Sequence, residues 1–296
     1  MPCYSPIEGY RVADGRVVFS ERRGHGDFVG SVSVACGQCI GCRLRRASDW
    51  RLRCEHEASS HEKNCFVTLT YSPGNCPPGF SLCYADVQKF FKRVRWKVGQ
   101  FRFFMCGEYG PETLRPHYHA CLFGINFSDR VLAGKSASGK PFFSSAVLSA
   151  LWPFGFATVQ DFVSETAGYC AGYILTKRLG KDARKGLEYV SESGEILERA
   201  PEFARMSLRP GIGADWYRRH GAVVRRADFV ASNGSKRRVP RYYDVLSRGF
   251  DEWERIELER FERSRLYLED STPDRLLVRA KCAEAGAKFQ LERKGV

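Results

Sequence analysis

An α+β fold built on a mainly antiparallel sheet is what this sequence predicts, and three observations carry that expectation. Runs of strand character (residues 65–71, 101–108, 117–123 and 156–162) are interleaved with runs of helical period (43–62, 84–98 and 164–179). The gap between the second and third of those strands is too short for a parallel crossover, so they form an antiparallel hairpin. A composition of 43% hydrophobic and 27% charged residues suits a chain that buries a core. Wholesale disorder, collagen and simple disulfide miniproteins are excluded.

The elements follow in order. The first 35 residues are rich in Gly, Arg and Ser, with short β-like pieces at 15–19 and 29–35. Cys36, Cys39 and Cys42 come next. In the helix over 43–62, Leu44, Ala47, Trp50, Cys54 and Ala58 recur near helical spacing, and Arg43, Arg45, Arg46, Arg51 and Arg53 populate the remainder. Ser72-Pro73-Gly74 stops the first strand. The helix over 84–98 is amphipathic and carries Lys89, Lys92, Arg93, Arg95 and Lys97. Tyr109-Gly110-Pro111 turns the hairpin. A Gly/Ser/Lys loop is expected at 134–141, then a short helix over 144–151. Ser164 opens the helix over 164–179, with Glu165 in its first turn. Beyond Gly180 the chain is more charged, with a turn at residues 209–213 and a helix starting near Ala214. Terminal helices are expected at 251–268 and 273–291, the second introduced by Ser271-Thr272-Pro273. The expected organisation is an N-terminal arm with the cysteine cluster (1–45), a core (46–180), a basic extension (181–248) and a helical tail (249–296).

The 47 Lys and Arg against 34 Asp and Glu leave a formal charge of +13. Such an excess favours a polyanion, nucleic acid before an acidic membrane surface. No run of about 20 apolar residues exists, so no membrane span is expected. Met1-Pro2-Cys3-Tyr4-Ser5-Pro6 lacks the basic and apolar regions of a signal peptide. The twelve cysteines therefore read as thiols and metal ligands in a reducing compartment.

His117-Tyr118-His119 is the sharpest feature. On a strand, residues i and i+2 share a face, so both imidazoles project together, and the hairpin brings Glu108 alongside as a third ligand. Imidazole plus carboxylate suits Mn, Mg or Zn. Alone, a His-x-His pair is more often two half-exposed strand histidines. Tyr169, Tyr173 and Lys177 stand at i, i+4 and i+8, one stripe of a helix. A phenol, with a pKa of about 10, is a poor nucleophile until a cation lowers it, and Lys177 lies one turn from Tyr173. Taken alone, such a stripe is usually half-buried core.

Cys36-x2-Cys39-x2-Cys42 has metal-knuckle spacing, with Gly37 and Gly41 allowing the turn. A structural zinc needs a fourth ligand, Cys3 first and Cys54 second; the plain alternative is a reduced thiol cluster. The cysteines at 65, 76, 83, 106, 121, 170 and 282 are expected to pack. Gly134-x4-Gly139-Lys140 matches phosphate-loop spacing, but Pro141 replaces the Mg-binding hydroxyl and the flanks are wrong, so a surface loop is expected. Arg209-Pro-Gly-Ile-Gly213 could lay backbone amides against a DNA phosphate or be a turn with a helix cap. The arginines at 43–53, 225–226 and 237–241, with Tyr242 and Tyr243, suit phosphate tracking and base stacking; each charge run alone is usually a solvated face.

Taken together, these features resemble the HUH endonuclease superfamily of rolling-circle initiators, in its two-tyrosine class. More closely, the chain resembles the replication initiation proteins of microvirus (gokushovirus-like) single-stranded DNA bacteriophages. The segments that match are Met1-Pro2-Cys3-Tyr4, CGQCIGCRLR at 36–45, FVTLTY at 66–71, RPHYH at 115–119, residues 169–177, RPGIG at 209–213 and VPRYY at 239–243. The likeness extends to about residue 245. The bulky Tyr118 between the histidines departs from a purely aliphatic pattern.

The resemblance implies an HUH nuclease core over 46–180, with a central, mainly antiparallel sheet flanked by helices, an N-terminal cysteine knuckle and a helical C-terminal extension. It implies a Mg or Mn ion on His117, His119 and Glu108, and attack by Tyr173 or Tyr169 on single-stranded origin DNA. A 5′-phosphotyrosine and a 3′-hydroxyl primer result, and rejoining needs no ATP. Arg43, Arg46, Arg115, Arg209 and Arg241 are the expected DNA contacts. A host helicase and polymerase are the expected partners, in the host bacterial cytoplasm. Two competing classes are a non-enzymatic zinc-dependent nucleic-acid-binding protein, which leaves the histidines and tyrosines unexplained, and a metal hydrolase using activated water, which needs no tyrosine.

Overall fold

The computed structural model describes residues 3–19, 28–110, 113–136, 139–164, 166–168, 187–191 and 193–292. The chain begins with strands β1 (Ile7–Val12), β2 (Val17–Val18) and β3 (Phe28–Val34), then helix α1 (Ile40–Ala58), β4 (Asn64–Tyr71) and α2 (Tyr84–Lys97). Next come β5 (Arg102–Tyr109), β6 (Pro116–Phe123), β7 (Val131–Lys135), β8 (Pro141–Ser144), α3 (Ala146–Leu151) and β9 (Gly155–Asp161). After these come β10 (Glu188–Val190), β11 (Ile196–Glu198), β12 (Phe203–Met206), α4 (Ala214–Ala227), β13 (Val230–Ser232) and β14 (Ser235–Arg237). The chain closes with α5 (Arg241–Ser247), α6 (Glu252–Arg265) and α7 (Pro273–Glu292). Two compact units result, Met1–Arg46 with Leu258–Val296, and Ala47–Glu257.

The larger unit is organised by a seven-stranded sheet of order β12-β5-β6-β4-β9-β8-β7. Every neighbouring pair is antiparallel. Strand alternation gives the sheet two different faces. On one, Val67, Leu69, Met105, Tyr118, Ala120, Leu122 and Val159 pack with Val87, Phe90, Phe91 and Val94 of α2, Leu148 of α3, and Trp152. On the other, Phe66, Phe104, Cys106, Cys121 and Phe123 meet Cys54 of α1, Ala167 and Ile212. Trp50 stacks on Phe104 with ring centroids 4.7 Å apart. The α+β class with a mainly antiparallel sheet flanked by helices is thus the observed one.

The smaller unit holds a three-stranded sheet, β2-β1-β3, and the C-terminal helix α7. Among its described strand residues, only Gly9 and Val12 are buried.

The structure corrects several expectations. The loop expected at 134–141 sits at the end of a hairpin that was not expected: β7 pairs with β8, and the Ser136 amide donates to the Lys140 carbonyl. Its glycines and lysines obscured the strand alternation, and the Gly134–Lys140 spacing is flanked by two antiparallel strands rather than by a strand and a helix. Strands β10 to β14 were not expected; each is three or four residues long, too short to show a period. The helix over 164–179, with Tyr169, Tyr173 and Lys177, lies outside the described residues except at its start; Cys170 lies there too. Of the packing cysteines, Cys65, Cys106 and Cys121 are buried, Cys76 and Cys83 are half-buried, and Cys282 is exposed.

Tyr118 explains how a bulky residue fits between the two histidines. Its ring points to the opposite sheet face and is fully buried. Its hydroxyl accepts from the Cys83 amide at 2.7 Å and lies 3.2 Å from the Tyr71 hydroxyl, which donates to Asp86 at 2.9 Å. Tyr118→Phe should therefore destabilise the fold by about 1–3 kcal/mol in urea unfolding. The spectroscopic signature of Mn²⁺ bound by the histidine face should be unchanged.

Candidate metal centre

The register of the β5–β6 hairpin builds the site. Glu108 stands directly opposite His117, and Cys106 opposite His119. On the other side of β6, Thr68 of β4 pairs with His119 and Thr70 with His117. Because i and i+2 share a face, Glu108, His117 and His119 all project on the α1 side of the sheet. Their ligand atoms lie within 4.8 Å of one another. His117 Nε2 is 2.7 Å and His119 Nε2 2.8 Å from the same Glu108 oxygen, Oε1.

The remaining nitrogens are occupied so as to turn both Nε2 atoms inward. His117 Nδ1–H donates to the Arg115 carbonyl at 3.1 Å, and His119 Nδ1 meets the Thr68 hydroxyl at 3.0 Å. Such outer partners fix the tautomer and ring orientation of metal-ligating histidines. The second carboxylate oxygen, Glu108 Oε2, is buried with no hydrogen-bond partner among the described residues. An orphaned carboxylate oxygen beside two inward imidazole nitrogens is a donor set that fits a divalent cation.

Electrostatics agree with that arrangement. Burial opposes the charge of Glu108, but hydrogen bonds from His117 and His119 hold its carboxyl below the usual range. Burial also disfavours the His117 imidazolium, yet the Glu108 carboxylate and the Arg115 carbonyl raise it above the ordinary value. For His119 burial wins, and its pKa is lowered. Of the two imidazoles, His117 is therefore the one whose surroundings favour the protonated form.

A second group forms in the smaller unit. Cys3, Cys36, Cys39 and Cys42 bring four sulfurs within 4.8 Å of one another. Cys54, the other fourth-ligand candidate, is fully buried against the large sheet instead. Burial disfavours the Cys39 thiolate, but amide N–H groups of Tyr4 and Cys42 and the neighbouring thiols draw its pKa down to about 6.

Other expected contacts fare differently. Arg209 and Arg241 are exposed, and Arg115 is half-buried beside His117. Arg43 is half-buried, and Arg46 donates to the Gly37 carbonyl at 2.8 Å. Several basic and aromatic residues are structural rather than free for DNA. Arg225 is buried against Glu252 and over the Phe250 ring. Arg53 donates to the Ile212 carbonyl and lies between Trp50 and Tyr242. Tyr243 is fully buried and hydrogen-bonded to His56 at 2.8 Å, which removes it from base stacking. The Arg209–Gly213 segment takes the turn-plus-cap reading, because the Gly211 amide donates to the Tyr242 hydroxyl and the Gly213 amide to Glu57. Gly213 has φ +80°, and a Cβ there would stand 2.4 Å from the Tyr243 hydroxyl. Glycine is required at that position.

Sequence reasoning missed Thr68 and the Arg115 carbonyl. Both were visible as residues, but only strand register assigns them to the histidines.

The family model for Replication-associated protein ORF2/G2P matches residues 64–178, the stretch that contains β4, β5 and β6 with the whole trio. Replication-associated protein ORF2 of Spiroplasma virus 4 is 30% identical over 269 residues, covering 82% of this chain and 79% of that protein. The chain belongs to this family of replication-associated proteins. Replication-associated protein VP4 of Bdellovibrio phage phiMH2K is 27% identical over 253 residues, with 82% of this chain and 76% of the relative covered. Replication-associated protein ORF4 of Chlamydia phage 1 is 27% identical over 229 residues, covering 74% and 54%. No solved structure gives a significant match. Among the described residues, no helix is long and apolar enough to cross a membrane.

Thr68→Val keeps the shape and strand preference of Thr68 but removes the hydroxyl that holds His119. Mn²⁺ affinity, followed by electron paramagnetic resonance, should fall by about 10–100-fold with unfolding behaviour nearly unchanged. Unaltered affinity would mean that Thr68 does not orient the ring.

Proposed function

We propose that this chain is a replication initiator that nicks single-stranded DNA at an origin and later rejoins it. The observation that carries the reading is the convergence of Glu108, His117 and His119 on one sheet face, in a chain of the replication-associated family. A magnesium or manganese ion held by these three residues supplies the positive charge that polarises a scissile phosphate. Thr68 and the Arg115 carbonyl keep both imidazoles facing inward. Arg115 Nε is buried with no hydrogen-bond partner among the described residues, which suits contact with a phosphate oxygen. Arg209 and Arg241, both exposed, with Arg43 and Arg46, complete the assigned DNA contacts.

In this reading Tyr173 or Tyr169 is the nucleophile. The phenol loses its proton, with Lys177 favouring the phenolate, and its oxygen bonds to phosphorus. The bond from phosphorus to the 3′ oxygen breaks, and that oxygen takes up a proton and leaves as a hydroxyl. The 5′ end stays on the protein as a phosphotyrosine ester, so attack by a later 3′-hydroxyl rejoins the strand without ATP. A host polymerase extends the freed 3′ end and a host helicase separates the strands, in the host bacterial cytoplasm.

The deciding experiment incubates the full chain with a single-stranded origin oligonucleotide and Mn²⁺ or Mg²⁺. A protein–DNA adduct that survives denaturation is expected. Two free product ends would indicate hydrolysis by water, and binding alone a non-enzymatic nucleic-acid-binding protein; either overturns the proposal. His117→Ala and His119→Ala should bind the oligonucleotide but form no adduct, because the basic surface remains while phosphate polarisation is lost.

The two tyrosines divide the labour. On the helix expected over 164–179 they stand one turn apart, about 6 Å along its axis, and only one can be in line with the phosphate at a time. On that expected helix Lys177 is one turn from Tyr173 and two from Tyr169, so Tyr173→Phe should slow first cleavage more than Tyr169→Phe does. The double substitution should abolish the adduct and leave binding intact. Peptide mapping that places the DNA on another residue would exclude both.

A further inference from the structure

The small sheet of the first unit has a stability problem. Three strands with only Gly9 and Val12 fully buried have little apolar burial to hold them, and so small a sheet is marginal without further packing, a disulfide or a metal. The chain supplies a candidate at the open end of the β1–β3 pair. Their antiparallel register ends with Ile7 opposite Val34. Cys3 lies four residues before that end and Cys36 two after it, so strand pairing itself delivers both thiols to one place. The turn after Cys36, with Gly37 at φ +74°, then brings Cys39 and Cys42 to the same point as α1 starts at Ile40.

The sulfur geometry distinguishes a metal from a disulfide. Cys3–Cys36, Cys3–Cys39 and Cys36–Cys42 are separated by 3.5, 3.8 and 4.0 Å. A disulfide needs about 2.05 Å. Four sulfurs at about 2.3 Å from one zinc define a tetrahedron whose edge is about 3.8 Å. Three of the sulfurs, those of Cys3, Cys36 and Cys39, also accept backbone amides. Amide groups point at them, Tyr4 to Cys39 at 3.3 Å, Cys36 to Cys3 at 3.3 Å, and Gln38 and Cys39 to Cys36 at 3.4 and 3.3 Å.

The charge around α1 gives an independent argument. Helix N-termini favour negative charge, yet the first turn of α1 has no acidic residue, and Arg43, Arg45 and Arg46 crowd that end. A zinc ion with four thiolates carries a net charge of −2. It supplies the anion this end of the helix lacks, and Arg46 is already anchored across the turn to the Gly37 carbonyl.

We infer that Cys3, Cys36, Cys39 and Cys42 bind one structural zinc ion, which replaces a hydrophobic core for the β1–β3 sheet and charges the N-terminus of α1. Four protein ligands close the coordination shell, so this zinc takes no substrate. The site is separate in chemistry from the Glu108–His117–His119 trio and does not depend on the proposed nuclease activity.

The test uses the full chain. Elemental analysis after gel filtration should find about one zinc per chain, and X-ray absorption should show a sulfur-only first shell near 2.3 Å. A His117→Ala/His119→Ala variant should keep that zinc and Cys36→Ser should lose it. Because Cys36→Ser could misfold, the wild-type absorption spectrum stands as the independent readout. Removing zinc from the trio-less variant with a chelator should strip hydrogen-exchange protection from β1 and β3 while β5 and β6 keep theirs. Nitrogen or oxygen in the shell, iron in place of zinc, or no metal in folded protein would overturn the assignment. Unchanged protection after chelation would overturn the structural role.

Discussion

The register between β5 and β6 is the constraint on which the rest of the structure depends. It sets Glu108 opposite His117, with His119 two residues along β6 on the same face. Antiparallel pairs do not hold register by backbone hydrogen bonds alone, because a slipped pair makes equivalent bonds. Here the side chains hold it. The Tyr118 hydroxyl ties β6 to Cys83, and the Tyr109 hydroxyl donates to the Ala200 carbonyl at 2.6 Å. The packed aromatic face beneath then makes a one-residue slip expensive, since every buried ring would be turned outward.

A second buried carboxylate fixes the opposite end of β5. Glu57 on α1 is 2% exposed and accepts from Arg102 at the start of β5, from the Gly213 amide at 2.7 Å, and from His61 at 3.2 Å. A buried charge is tolerated only when its lone pairs are satisfied in this way. One side chain thereby joins the helix above the sheet, the first residue of β5 and the start of α4. Arg102 also reaches the Pro210 carbonyl at 2.6 Å. The Arg209–Gly213 motif is therefore explained by folding. Its glycines admit Tyr242 and Tyr243 at close range, and its amides are already engaged.

Much of this was legible from residues alone, for identifiable reasons. Strands β4, β5, β6 and β9 are seven or eight residues long, and α1 and α2 have apolar stripes, so their periods rise above noise. The short loop between β5 and β6 forced the hairpin and placed Glu108 beside the histidines. Cys3 emerged as a ligand candidate only from a count of missing donors; the pairing of β1 with β3 is what gives it a physical route to Cys36. What stayed hidden depends on tertiary context. The strands between 188 and 237 are too short for a period, and β12 joins the main sheet only because β5 offers it an edge. Tyr243 sits in a basic, aromatic run that reads like a surface, yet Trp216 and Tyr217 close over it. No local pattern announces that.

The two faces of β6 also limit how this chain can change. Odd-numbered positions 117 and 119 carry donor atoms, while even-numbered positions 118, 120 and 122 fill the aromatic interior. Inserting one residue anywhere between Glu108's partner and the end of the strand would exchange the two sets at a stroke. Inserting two would restore the facing but move the imidazoles past the carboxylate. Length change is thus closed to the paired strands of this hairpin, where variation is confined to replacement at fixed spacing. The tip between β7 and β8, with no such alternation of duty, is free to lengthen or shorten.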